Sequence, residues 1–230
     1  MKLKVIITGS TGMVGKGILL ECLGRPEVES ILVINRKPLD IQHDKITEIV
    51  HNDFYNLSTI EPQLKGYNAC FFCLGVSAFG MSETDYSRIT YDMTLHFADT
   101  LLRLNPDMHF CYVSGQGTDS SEKGRVMWAR IKGKTENALL GMPFKKSYMF
   151  RPGYIQPMKG IKSSTKLYNM LYMVFKPLYP LLKAVFPTQL TSSVQVGNAM
   201  INVVLFGSEK KHLTNIDINL LAEKNTLNNV

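Results

Sequence analysis

The stretch that most constrains this chain is its first seventeen residues. A short β-branched run, Val5-Ile6-Ile7, leads into Thr8-Gly9-Ser10-Thr11-Gly12-Met13-Val14-Gly15, and apolar residues then recur at helical spacing at Ile18, Leu19, Cys22 and Leu23. This reads as strand, glycine loop and helix. The glycines fall in a G-x-x-G-x-x-G spacing, and each has a job in a dinucleotide site. Gly9 makes the tight turn off the strand, Gly12 lets a pyrophosphate approach the backbone, and Gly15 lets the helix pack close to the sheet. The helix N-terminus offers free N–H groups and the positive end of its dipole to phosphates. Glycines also serve ordinary turns, so the reading rests on the strand before them and the helix after.

Composition bounds the rest. At 230 residues, with 45% hydrophobic and 20% charged residues, the chain reads as an ordinary globular protein of one domain, or one with a small appendage. Four cysteines, at 22, 70, 73 and 111, lie in apolar patterns, and no secretory signal precedes the first strand, which points to reduced thiols in a cytoplasmic protein. Cys70 and Cys73 share a strand pattern in which residues three apart face opposite ways, which argues against a redox or metal pair. The net charge of +7 is spread over scattered lysines. With no compact basic cluster interleaved with aromatics, it favours an anionic cofactor over nucleic acid.

Past the first helix, which Gly24-Arg25-Pro26 stops, Ser30 to Ile34 reads as a second buried strand, so the two strands and their helix form a right-handed βαβ unit on a parallel sheet. Its end meets the adenosine ribose in such sites, where an acidic residue binds a free 2′-hydroxyl and arginine accommodates a 2′-phosphate. Here Arg36 stands there, with Lys37 beside it and no carboxylate, which favours NADP over NAD. Lys45–Val50 reads as a third strand ending toward Asp53 and Phe54, 57–64 as a short helix, and Ala69–Gly75 as a central strand apolar on both faces. A long helix capped by Ser82 or Thr84 runs to about Leu104, where Asn105-Pro106 ends it. Further strands are expected at 109–113, 147–150 and 213–218, and further helices at 125–140 and 194–206. The segment 167–186 is rich in Leu, Tyr, Met and Phe. Pro177, Pro180, Lys176 and Lys183 argue against a membrane span and leave a pair of capping helices or an amphipathic membrane-surface patch.

In this order the chain resembles the short-chain dehydrogenase/reductase superfamily in its atypical, extended branch. The resemblance rests on the glycine motif, Asn35-Arg36, Asp53, Cys73-Leu74-Gly75, Val113-Ser114-Gly115 and Arg151-Pro152-Gly153. Within that branch it is similar to the Tat-interacting-protein oxidoreductase group, to NmrA-like proteins and to bacterial proteins named as nucleoside-diphosphate-sugar epimerases. The resemblance implies one doubly wound Rossmann domain over residues 1–230, with 154–190 as a small helical cap on the substrate side. It implies that Gly9, Ser10, Thr11, Gly12, Met13, Val14, Arg36, Asp53, Phe54, Leu74, Gly75, Lys132 and Pro152 hold the cofactor.

That superfamily uses a Ser, a Tyr and a Lys, the last two spaced Tyr-x-x-x-Lys on one helix face. A lysine ammonium beside the phenol favours the phenolate and lets it exchange a proton near neutrality. Ser114 and Lys132 fall at the Ser and Lys positions, but four residues before Lys132 stands Trp128, whose indole N–H cannot exchange a proton at neutral pH. Lys132 keeps a second role, bonding the nicotinamide ribose. Tyr154, Tyr91, water or the substrate itself are the alternative proton sources. Two readings follow. One is an NADP-dependent oxidoreductase or epimerase-like enzyme, acting on an apolar carbonyl compound more readily than on a nucleotide sugar, for which Lys159, Lys162 and Lys166 are the nearby cations. The other is a non-catalytic NADP(H)-binding redox sensor that reports to a partner. A homodimer is compatible with both.

Overall fold

The computed structural model describes residues 2–161 and 189–224. Its centre is a seven-stranded sheet. In chain order the elements are β1 (Leu3–Thr8), α1 (Met13–Gly24), β2 (Val28–Asn35), β3 (Ile46–Val50), a 3-10 turn (Glu61–Leu64), β4 (Ala69–Phe72), α2 (Glu83–Ser87), a π turn (Arg88–Asp92), α3 (Met93–Leu104), β5 (His109–Val113), α4 (Met127–Gly141), β6 (Lys146–Phe150), β7 (Tyr154–Gln156), β8 (Leu190–Ser192), α5 (Ser193–Phe206), β9 (His212–Leu213) and α6 (Asn215–Glu223). The sheet order is β3-β2-β1-β4-β5-β6-β9, parallel throughout, with β7 and β8 a separate parallel pair. The fold is a doubly wound α/β fold of Rossmann type. Strand order reverses between β1 and β4, and in such sheets ligands bind in the crevice beyond the strand ends at that point.

Both faces of the sheet are covered, which is why β1, β2 and β4 read as continuous apolar runs. On one face Val5, Ile7, Val33 and Phe71 pack with α1, α5 and α6 through Ile18, Met200 and Ile218. On the other, Ile6, Leu32, Cys70 and Phe72 meet α3 through Phe97 and Leu101. Cys70 and Cys73 lie against opposite cores, as strand alternation requires, and all four cysteines are free.

Several local readings need correction. The long helix expected to Leu104 is interrupted by the π turn at Arg88–Asp92, although Ser82 caps its start by accepting from the Asp85 N–H at 3.1 Å. The strand expected at 213–218 is only His212–Leu213. Thr214 begins a helix, held by a capping box in which the Asp217 carboxylate accepts from the Thr214 N–H at 3.0 Å and from its hydroxyl at 2.7 Å. The β7–β8 pair was not foreseen; at three residues each, its strands are too short for periodicity to reveal. The segment 167–186, most of the 154–190 cap, Lys162 and Lys166 lie outside the described residues. Among the described residues no helix is long and apolar enough to cross a membrane.

Candidate functional site

The glycine loop builds the first half of the site. Gly9 has φ +69°, a conformation that side chains oppose, and a Cβ there would stand 2.8 Å from the Cys73 carbonyl. The loops after β1 and β4 therefore meet at the switch point because Gly9 has no side chain. The Gly12 N–H donates to the Gly9 carbonyl at 3.0 Å, and a Cβ on Gly15 would lie 2.2 Å from that same oxygen. Helix α1 rests directly on its own loop. Its N-terminus has no side-chain cap and no acidic residue in the first turn, so backbone N–H groups and the positive dipole end remain for an anion.

These groups open onto a groove of about 600 Å³. Gly9, Thr11 and Gly12 form one wall, Leu74 and Gly75 the other, and Phe54 with Asn52 the far side. Arg36 and Lys37 line the end beyond β2; both are exposed, and no ion pair among the described residues engages either. An uncapped helix end, a glycine cradle and two cations at the far end suit an anionic nucleotide. Of the other residues expected to line this groove, Ser10 does not. Its side chain is fully buried and its hydroxyl donates to Asn35 Oδ1 at 2.8 Å, since the loop turns that residue under the sheet end. Asp53 is also placed differently. Its carboxylate accepts from the Tyr55 N–H at 2.9 Å, and its neighbours Asn52 and Phe54 reach the groove instead. Met13 and Val14 are half-buried in the first turn of α1.

Gly75 lines the groove and the next residue, Val76, lines a second, open chamber of about 810 Å³, so the two adjoin. Its walls carry Phe79, Tyr86, Met127, Trp128, Pro152 and Tyr154. Trp128 and Lys132 face it from one side of α4, and the indole packs against Gly117, whose Cβ would be 3.3 Å from the ring. The Lys132 ammonium donates to the Ser114 carbonyl. Burial pushes this amine down to about 8, against an upward pull from Glu136.

Ser114 lines the chamber, but its hydroxyl is engaged on the protein side. Its Oγ donates inward, to Glu136 Oε1 at 2.5 Å, and lies 3.1 Å from the Phe150 carbonyl. Glu136 is fully buried and holds Arg151 through Nε at 3.0 Å and 3.1 Å, with a further contact from Nη2. His212 Nε2 lies 3.4 Å from the same carboxylate. Its pKa is depressed by burial and by Arg151, and Glu136 opposes the shift. Sequence reading had not singled out Glu136. Its position one turn after Lys132, on the same helix face, was the available signal.

The two substitute tyrosines also separate. Tyr91, on the π turn, stacks under Lys134 at 4.2 Å and is absent from the chamber lining. Tyr154 does line the chamber, with its hydroxyl donating to Gln156 Oε1 at 2.8 Å. Lys159 points elsewhere, pairing with Glu21 of α1 at 2.5 Å.

The fold is the doubly wound Rossmann fold shared by short-chain dehydrogenases and sugar-nucleotide epimerases. No family model matches the chain. Its homologues include HTATIP2 of Rattus norvegicus, 27% identical over 153 residues that cover 66% of this chain and 62% of that protein. Another is mitochondrial FMP52 of Debaryomyces hansenii, 27% identical over 158 residues, 66% of each chain. The matched stretch thus spans somewhat less than two thirds of either relative. Among solved structures, a short-chain dehydrogenase family protein of Francisella tularensis superposes with TM-score 0.64 at 12% identity, covering 93% of this chain and 96% of its own. WbmF of Bordetella bronchiseptica, solved in complex with NAD+, superposes with TM-score 0.64 at 13% identity over 100% of this chain and 80% of its own.

Proposed function

We propose that the protein is an NADP(H)-dependent oxidoreductase acting on a small apolar carbonyl compound. The observation that carries this reading is the junction of two spaces: a groove with an anion-ready helix end and Arg36 at its far side, opening into an aromatic chamber. When bound, a nicotinamide supplies or accepts the hydride. The chain's own residues do the rest. Gly9, Thr11 and Gly12 would cradle the pyrophosphate, Arg36 and Lys37 the 2′-phosphate, and Leu74 and Gly75 the opposite side. The chamber supports an apolar substrate over a nucleotide sugar, because among its described lining residues Lys132 is the one cation and Lys159 is engaged by Glu21.

A second reading, a redox sensor that binds NADP(H) without turnover, draws support from the same chamber. Trp128 occupies the position where the resemblance leads one to expect tyrosine, and the Ser114 hydroxyl is turned inward. The two readings part on one experiment. Titration of NADPH and of NADH while Trp128 is excited should quench the indole, at lower NADPH than NADH concentration. Arg36→Asp should weaken NADPH by about ten- to hundredfold, the loss of one charge-assisted contact, and reverse the preference. Binding of both redox forms with no reduction of any carbonyl would favour the sensor. Absence of binding by calorimetry would sink both.

A further inference from the structure

We infer that Lys132 is itself the residue that gives the proton to the substrate oxygen and recovers it in the reverse direction. This rests on the oxidoreductase reading above and deepens it. Few of the groups that face the chamber can carry a proton. Among its described lining residues there is no carboxylate and no histidine. The Ser114 hydroxyl is committed to Glu136 and the Tyr154 hydroxyl to Gln156, while Ser77, whose Oγ accepts from the Phe79 N–H at 3.3 Å, carries an alcohol that does not ionise near neutral pH. Tyr86 is almost fully buried, and its burial makes the phenol harder to ionise, although its hydroxyl contact with Thr90 opposes this. Trp128 can donate a hydrogen bond but cannot exchange a proton.

Lys132 remains. Its ammonium has three N–H donors, and the Ser114 carbonyl takes one. That contact holds the nitrogen at the end of β5, where Ser114 and Lys132 both line the chamber. Reduction of a carbonyl to an alcohol consumes one hydride, from the bound reduced nicotinamide, and one proton. As the substrate O–H bond forms, an N–H bond of Lys132 breaks, and the neutral amine regains its proton from water. Burial already weakens that N–H bond, placing the amine near 8, close to the working pH that favours general acid catalysis.

The charged and titratable groups around it fit such a role. Glu136, one turn on along α4, favours the ammonium, but its carboxylate is held by Arg151 from the end of β6, with His212 of β9 behind it. Tyr86 of α2 and Tyr112 of β5 are both pushed upward by burial and stay neutral through this range.

Lys132→Arg is the discriminating variant. It keeps the positive charge and can still hold a ribose, but a guanidinium does not release its proton. With benzaldehyde and acetophenone as probes, the parent's kcat for NADPH-driven reduction should be level at low pH and fall above about 8, where the acid is lost. The variant should bind NADPH to within about threefold of the parent and lose kcat by about a hundredfold or more, the usual range for a general acid. A variant that binds NADPH and keeps the parent's kcat and pH profile overturns the inference while leaving the cofactor reading intact. A parent that binds neither nucleotide sinks the cofactor reading itself.

A second measurement needs no turnover. After reductive methylation with an isotope label, the Lys132 amine of the cofactor-free chain should titrate in its NMR signal near 8. A midpoint at the ordinary lysine value of about 10.4 overturns the inference whether or not Lys132→Arg folds.

Discussion

The glycine-lined groove and the aromatic chamber adjoin at Gly75 and Val76, yet they are made of different things. The groove is shaped mainly by backbone: the positive φ of Gly9, the N–H groups at the start of α1, and the contact of Gly15 with the Gly9 carbonyl. The chamber is shaped by side chains. Trp128, Phe79, Tyr154 and Lys132 define its walls, and a buried Glu136–Arg151 pair braces it from behind. Backbone architecture tolerates little change, whereas a wall of side chains can be rewritten one residue at a time. That explains how a chain can carry an intact glycine loop beside a chamber with tryptophan where the resemblance leads one to expect tyrosine.

The brace offers the largest expected effect. Arg151→Met leaves the Glu136 carboxylate buried without its cation, a change that costs about 3–5 kcal/mol. Chemical denaturation should register that loss, with near-UV dichroism of Trp128 reporting the chamber. Adding Glu136→Gln should restore much of it, because the pair as a whole is worth far less than its broken half. If Arg151→Met were as stable as the parent, the chamber would not depend on this pair, and the contrast with the backbone-built groove would fail.

The groove has its own test, smaller in stability and larger in binding. Gly15→Ala sets a methyl where 2.2 Å separates Cβ from the Gly9 oxygen, so the loop has to shift. Overpacking of this kind costs about 1–3 kcal/mol. Calorimetric NADPH affinity should fall about a hundredfold or more if the loop holds the pyrophosphate, because displacing it removes several N–H contacts of about 1–2 kcal/mol each. Retained affinity in a folded Gly15→Ala protein would mean that the nucleotide does not sit on this loop.

The contrast also explains what could be read in the sequence. The glycine loop, the parallel sheet and the helix over Trp128 and Lys132 were legible because period, glycine spacing and β-branched runs act locally. The inward turn of Ser114 was not. A hydroxyl at a strand end faces substrate or core depending on a partner 22 residues away, Glu136, and no local pattern carries that. Ser10 failed in the same way, its hydroxyl captured by Asn35 of the neighbouring strand. The helix after β9 was readable in principle, since Thr214-x-x-Asp217 resembles a capping box, but the alternation of Ile216 and Ile218 after Leu213 favoured a strand.

The smallest expected effect separates substrate contact from protein packing. Phe79 lies in the loop between β4 and α2, lines the chamber, and is 96% exposed. Its ring therefore contributes little to the folded state, and Phe79→Ala should leave stability within about 0.5 kcal/mol of the parent. Yet a large apolar side chain held in water at a chamber lip gains by covering an apolar ligand. A fully buried phenylalanine contributes about 1.5–3 kcal/mol, and a ring covered on one face about half of that. KM for benzaldehyde should therefore rise by about three- to tenfold, with kcat nearly unchanged, since Phe79 lines the chamber but not the groove. An unchanged KM would take Phe79 out of the substrate's path and leave Trp128 and Tyr154 as the apolar surface on which specificity depends. A loss of stability instead would show that the ring packs against the protein itself, and the chamber's open side would have to be sought elsewhere.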